Sequence, residues 1–106
     1  MRFVILITLS LISFETYSQS WEYINDYNGP SRHHPMTFSN ERYGFVIAGV
    51  SENNQYLSDV HRYDSFLGTW EQLNDFPGGP RGLAYAVCFD NNAFLGFGSY
   101  ANDYPT

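Results

Sequence analysis

Positive charge is almost absent from this chain. Lys plus Arg number five against eleven Asp plus Glu, for a formal net charge of −6, and charged residues make up 15% of 106. No basic cluster is present to neutralise phosphates, so a nucleic-acid partner is not expected. The acidic balance favours solubility and says little more. Cys88 is the one cysteine, which excludes an internal disulfide. It lies in the apolar run Leu83 to Phe89 and reads as a small buried hydrophobe rather than a reactive thiol. Long stretches with a 3.6-residue period are lacking, which excludes a helical repeat. No Ser–His–Asp order, phosphate-cradling glycine loop or carboxylate pair of defined spacing occurs.

Long hydrophobic runs are also missing, with one exception. Phe3 to Phe14 is nearly unbroken, follows a positive Met1-Arg2 start, and precedes small residues at Thr16, Ser18 and Ser20. As a helix it would reach about 18 Å, short of a bilayer core of roughly 30 Å. The pattern is that of a secretory signal peptide over residues 1–20, with cleavage after Ser18 or Ser20, and it predicts a secreted or periplasmic protein without a membrane span. A buried first strand or helix is the other reading.

Aromatic residues are plentiful at 19%, including nine Tyr, nine Phe and two Trp, which suits a packed β-protein. They recur in order. A shift of 49 residues lays Trp21-Glu22 on Trp70-Glu71, Asn25-Asp26 on Asn74-Asp75, Gly29 on Gly78 and Arg32 on Arg81. The match continues through Phe45/Phe94, Gly49/Gly98 and Asn53/Asn102. A period near 50 built from short β-type segments predicts propeller blades. One period holds four strands: His34–Ser39, Tyr43–Val50, Ser58–Asp64 and Thr69–Asn74, with Ser51–Leu57 as the loop between the second and third. Asp75 to Pro80 crosses to the next period, where Gly82–Phe89 and Ala93–Ser99 form a hairpin around Asp90-Asn91-Asn92. Trp21–Asn25 is expected to be the last strand of a preceding blade.

The segment Asp59-Val60-His61-Arg62-Tyr63-Asp64, with Trp70 seven residues beyond Tyr63, resembles the kelch motif. The family's glycine pair at the end of the second strand has its counterpart in Ala48-Gly49 and in Gly96-Phe97-Gly98. The crossing Phe76-Pro77-Gly78-Gly79-Pro80-Arg81 is similar to that of bacterial secreted kelch proteins, including periplasmic sialic-acid mutarotases. The resemblance implies an all-β fold, a partial kelch-type β-propeller. After the signal peptide it would hold one full four-stranded blade, residues 32–74, and half of the next, residues 81–106. Gly49, Asp59, Tyr63, Trp70 and Gly98 would be its structural residues. Because propellers close with about four to eight blades, the chain reads as a fragment whose missing blades belong to the rest of a longer chain. Assembly of several copies into one ring is the alternative.

In the family the ligand face is built from the crossings and from the loops after the second strand. Carried over by position, this nominates Arg32, His33 and His34 in the first crossing and Arg81 in the second. The loops contribute Glu52, Asn53, Asn54 and Tyr56, then Tyr100, Asn102 and Asp103. A repeated arginine could form a ring that binds carboxylates or sugar acids, or each arginine could pin a neighbouring loop through backbone carbonyls. His33 and His34 should point oppositely along an extended strand, so no metal site is expected. The copper radical chemistry found on this scaffold has no matching residue set around Cys88, and no cofactor is expected. The leading expectation is a non-catalytic module for a glycan, an acidic sugar among the candidates, or for a protein. A sialic-acid mutarotase-like sugar isomerase, with Glu52 and Arg32 or Arg81 as acid–base candidates, and a truncated product without independent function are the alternatives.

Overall fold

A computed structural model describes residues 19–100; residues 1–18 of the stretch 1–20 read as a signal peptide, and Asn102 and Asp103, lie outside the described residues. The described chain is all-β, with antiparallel sheets and no helix. Among the described residues no helix is long and apolar enough to cross a membrane.

The first sheet contains β1 (Arg32–His33), β2 (Met36–Ser39), β3 (Tyr43–Ser51), β4 (Tyr56–Asp64) and β5 (Thr69–Leu73). β1 and β2 lie end to end along one edge of β3, so the sheet is four strands wide and runs as a simple meander. Local chemistry sets each turn. Asn40 Oδ1 accepts from the backbone N–H of Arg42 and Tyr43 at 3.0 and 2.7 Å, closing the β2–β3 hairpin. Asp64 Oδ1 accepts from Phe66 and Leu67 N–H at 2.9 and 3.2 Å, and Gly68 at φ +67° completes the β4–β5 turn.

β6 (Tyr85–Phe89) and β7 (Asn92–Gly96) form a second, two-stranded sheet, extended by a bridge between Gly82 and Ser99. Its register repeats that of β2 and β3. Met36↔Ile47, Phe38↔Phe45 and His33↔Val50 become Tyr85↔Gly96, Val87↔Phe94 and Gly82↔Ser99. The backbone repeats as well. His34 and Leu83 have φ of 52° and 57°, Ala48 and Phe97 have 55° and 64°, and Gly49 and Gly98 have 103° and 80°. The aromatic rings of Tyr27 and Phe76 each fold back over the glycine two residues on, Gly29 and Gly78, where a Cβ would collide with the ring. Recurrence of these glycines in the sequence therefore has a steric cause.

The two sheets pack face to face. Met36, Ile47, Ala48 and Val60 are buried, and Phe38, Phe45 and Leu73 join them against Phe76, Ala84, Ala86 and Leu95. Burying aliphatic side chains of this size contributes about 1.5–3 kcal/mol each. The Phe38 and Phe45 rings stack at 4.5 Å between centroids. Backbone hydrogen bonds suture the sheets together: Phe76 N–H to Ser58 O at 2.7 Å, Gly49 N–H to Arg81 O at 2.7 Å, Arg81 N–H to Leu57 O at 3.1 Å and Leu83 N–H to His34 O at 3.2 Å.

Several expectations need correction. Trp21–Asn25 carries no strand pairing; it is held to β5 through Trp70 Nε1, which donates to Asn25 O at 3.3 Å, and through Asn25 Nδ2, which donates to Gly68 O. A strand needs a neighbouring strand, and none of the described segments lies beside it. The first strand is cut in two because His34 adopts a left-handed conformation and Pro35 has no N–H to offer the ladder. Gly49 does not end a strand: it sits inside β3 at a bulge after Ile47, and the ladder resumes at Gly49↔Leu57 and Val50↔Tyr56. Tyr56 and Leu57 thus belong to β4, and the loop shrinks to residues 52–55. Cys88, expected in the interior, is half-buried, and its Sγ faces Asp90 O at 3.5 Å.

Candidate functional site

The two repeated arginines fold alike and end differently. Each sends Nη1 to the carbonyl at the bulge of its own repeat, Arg32 to Ala48 O at 2.8 Å and Arg81 to Phe97 O at 3.0 Å. Each also bonds its own crossing, Arg32 at Pro30 O and Arg81 at Gly78 O. Of the two sequence-level readings, backbone pinning is what the geometry displays. Arg32 goes further and pairs with Asp59 through two parallel bonds of 2.6 and 2.7 Å, its side chain only 4% exposed. His61 Nε2 lies 2.7 Å from Asp59 Oδ2, the oxygen that also accepts from Arg32 Nη2. Asp59 and His61 share a face because they are two apart on β4.

Tyr27 closes this cluster from above. Its ring meets His61 edge-on at 5.1 Å and Trp70 at 5.0 Å, and the Arg32 guanidinium lies 5.4 Å from its centroid. Burial pushes the Tyr27 phenol up to about 12. The hydrogen bonds from Arg32 hold the Asp59 carboxyl below its ordinary range, against the opposing pull of burial. Tyr63 pairs across the ladder with Trp70, ring centroids 5.2 Å apart. The cluster is a buried structural knot: Arg32 is turned into the sheet and is not presented to a ligand.

Arg81 has no carboxylate partner among the described residues. Two of the five guanidinium N–H groups are spent on carbonyls, and its buried Nε has no hydrogen-bond partner among the described residues. Phe76 and Tyr100 rings lie 5.4 and 6.0 Å from its carbon centre. It lines an open groove of about 720 Å³ with Asn54 to Leu57 at the start of β4, Gly78 to Pro80 of the crossing, and Tyr100. The Arg81 N–H to Leu57 O bond fixes the crossing against β4 and so fixes the groove's width.

Of the sequence-level candidates, the structure brings Asn54, Tyr56, Arg81 and Tyr100 together at this groove. Glu52 and Asn53 are exposed on the same loop but do not line it. His33 and His34 stand on the β1 edge. Against the expectation that they diverge, their Nδ1 atoms are 2.6 Å apart, because the left-handed turn at His34 swings its ring beside its neighbour. Among the described residues no group of three or more His, Cys, Asp or Glu could hold a metal ion. Gln55, Leu57 and the Gly78–Pro80 backbone were not singled out from sequence. The last was legible in principle, since a Pro–Gly crossing leaves its backbone uncovered.

Asp59 is the structural partner that sequence placed in the motif without a bonding role. No protein-family model matches the chain, and no curated protein matches it.

Proposed function

We propose that the chain supplies two consecutive blades of an exported kelch-type β-propeller and serves as a non-catalytic binding module. Its groove holds a glycan, with an acidic substituent of that glycan against Arg81. The matching register of the two repeats supports the blade reading, and the leader pattern over residues 1–20 supports export. The observation that carries the ligand assignment is a groove in which the Arg81 guanidinium lies beside Tyr56 and Tyr100, with no Asp or Glu among its described lining residues. Such a lining attracts an anionic group. Tyr56 and Tyr100 supply flat apolar faces beside the charge.

The test is a glycan array run with the wild-type chain and with Arg81→Ala, each checked for native circular dichroism. Carboxylate-bearing glycans should bind in preference to their neutral counterparts, and Arg81→Ala should weaken them about 10- to 100-fold, as expected for a charge-assisted hydrogen bond. Equal binding of acidic and neutral glycans, or full binding by the variant, refutes the assignment. A protein ligand becomes the better reading if no glycan binds.

A further inference from the structure

His33 and His34 converge where an extended strand would part them. Their Nδ1 atoms stand 2.6 Å apart, with the rings exposed and nearly perpendicular at 85°. The backbone holds both residues. His33 pairs with Val50 in the β1–β3 ladder, and His34 is turned at φ 52° with its carbonyl taking the Leu83 N–H at 3.2 Å. Leu83 belongs to the second repeat, so the rings keep their exposure with that neighbouring repeat already in place. The second repeat carries Gly82-Leu83 at the equivalent positions, with the same left-handed turn and no imidazole. The turn itself therefore does not require histidine.

We propose that His33 Nδ1 and His34 Nδ1 together chelate a divalent transition-metal ion of tetragonal geometry, Cu(II) or Ni(II). At metal–nitrogen bonds of about 2.0–2.1 Å, ligands at a right angle stand about 2.9 Å apart and ligands at a tetrahedral angle about 3.3 Å. The observed 2.6 Å lies nearer the first, which favours square-planar or octahedral ions over tetrahedral Zn(II). Both Nδ1 atoms must present lone pairs to the ion. The ring that carries its hydrogen at Nδ1 therefore shifts it to Nε2 through solvent, and no net proton is gained or lost. Because the backbone fixes the two rings side by side, the second bond forms within the molecule, and this chelation supplies the affinity. Among the described residues no third His, Cys, Asp or Glu completes a metal-binding group here, so the remaining positions on the ion face solvent. The pair does not line the Arg81 groove, and metal binding is independent of glycan binding.

Isothermal titration of the full chain with Ni(II) and separately with Zn(II), together with electron paramagnetic resonance of the Cu(II)-loaded chain, tests it. The wild type should bind one Ni(II), more tightly than Zn(II), and the Cu(II) spectrum should show nitrogen coupling from two imidazoles. His33→Gln and His34→Asn should each lower Ni(II) affinity about 100-fold. Asparagine suits position 34 because it tolerates the left-handed turn. His61, the third histidine, is 3% exposed and lies against Asp59, so the double variant should bind no Ni(II). Arg81→Ala should bind Ni(II) as the wild type does. A wild type that binds no Ni(II), or binds Zn(II) more tightly, overturns the proposal without recourse to any variant. A Cu(II) spectrum with one coupled nitrogen overturns it too, as does wild-type Ni(II) affinity in either single variant.

Discussion

Replacing Asp59 by Asn removes the one carboxylate that, among the described residues, faces the Arg32 guanidinium, whose side chain is 4% exposed, and leaves that charge enclosed beneath Tyr27. Breaking a buried pair from one side costs about 3–5 kcal/mol, because the remaining charge has lost both its water and its partner. Eighty-two described residues at about 0.05–0.15 kcal/mol each give a total stability of about 4–12 kcal/mol. Asp59→Asn therefore removes a large share of it. Urea unfolding followed by tryptophan emission is the suitable assay, since Trp21 is fully exposed and silent while Trp70 sits between Tyr27 and Tyr63. The double variant Arg32→Leu/Asp59→Leu removes both charges and should be more stable than Asp59→Asn. Arg32→Lys keeps the charge but loses the two-pronged fit, and should fall between wild type and Asp59→Asn. The reasoning is refuted if Asp59→Asn costs under about 1 kcal/mol, or if the double variant is no more stable than the single.

Acid should act through Asp64, whose carboxyl is held at about 2, first by the hydrogen bond from Arg42 and then by the Phe66 and Leu67 N–H groups. A carboxyl lowered on folding lends stability above its unfolded value, so the urea midpoint should drop as pH falls from about 4 to 2, and Asp64→Asn should flatten that drop. An unchanged acid profile in the variant excludes Asp64 as the source. Gly49→Ala forces a side chain into φ +103° with its Cβ 3.0 Å from His33 O and 3.1 Å from Pro35 Cα, and should lose more than about 1 kcal/mol. Gly44→Ala meets nothing within 4 Å and should stay near wild type in the same thermal melt; equal losses at both positions defeat the steric account.

The sequence made legible what depends on local pattern. The second, third and fourth strands of the full repeat emerge near their expected places because Tyr43 to Val50 and Val60 to Leu73 combine β-forming side chains with turn residues at Asn40, Asp64 and Gly68. The second hairpin was visible through the shift that aligns Phe45 with Phe94. Contacts between distant segments were not visible. Asp59 binds Arg32 across 27 positions, and no spacing rule separates that arginine from Arg81. Trp21–Asn25 copies a strand in sequence yet has no neighbour to pair with, so its residue types alone could not make it one. His34 defeated the alternation rule because of its left-handed turn, where its own carbonyl takes the Leu83 N–H.

The paired backbone irregularities carry a consequence for how such a surface can change. At equivalent points His34 and Leu83, and likewise Ala48 and Phe97, hold the same left-handed geometry although the first pair differs in polarity and the second in size. Such geometry costs a non-glycine residue about 1–2 kcal/mol, so at 48 and 97 the conformation is held from outside, by the arginine that grips the carbonyl there. The scaffold's shape is thereby uncoupled from the identity of the residues that display it. Position 97 can be rewritten while the frame beneath stays fixed, whereas the two arginines cannot be exchanged without reshaping the rim itself.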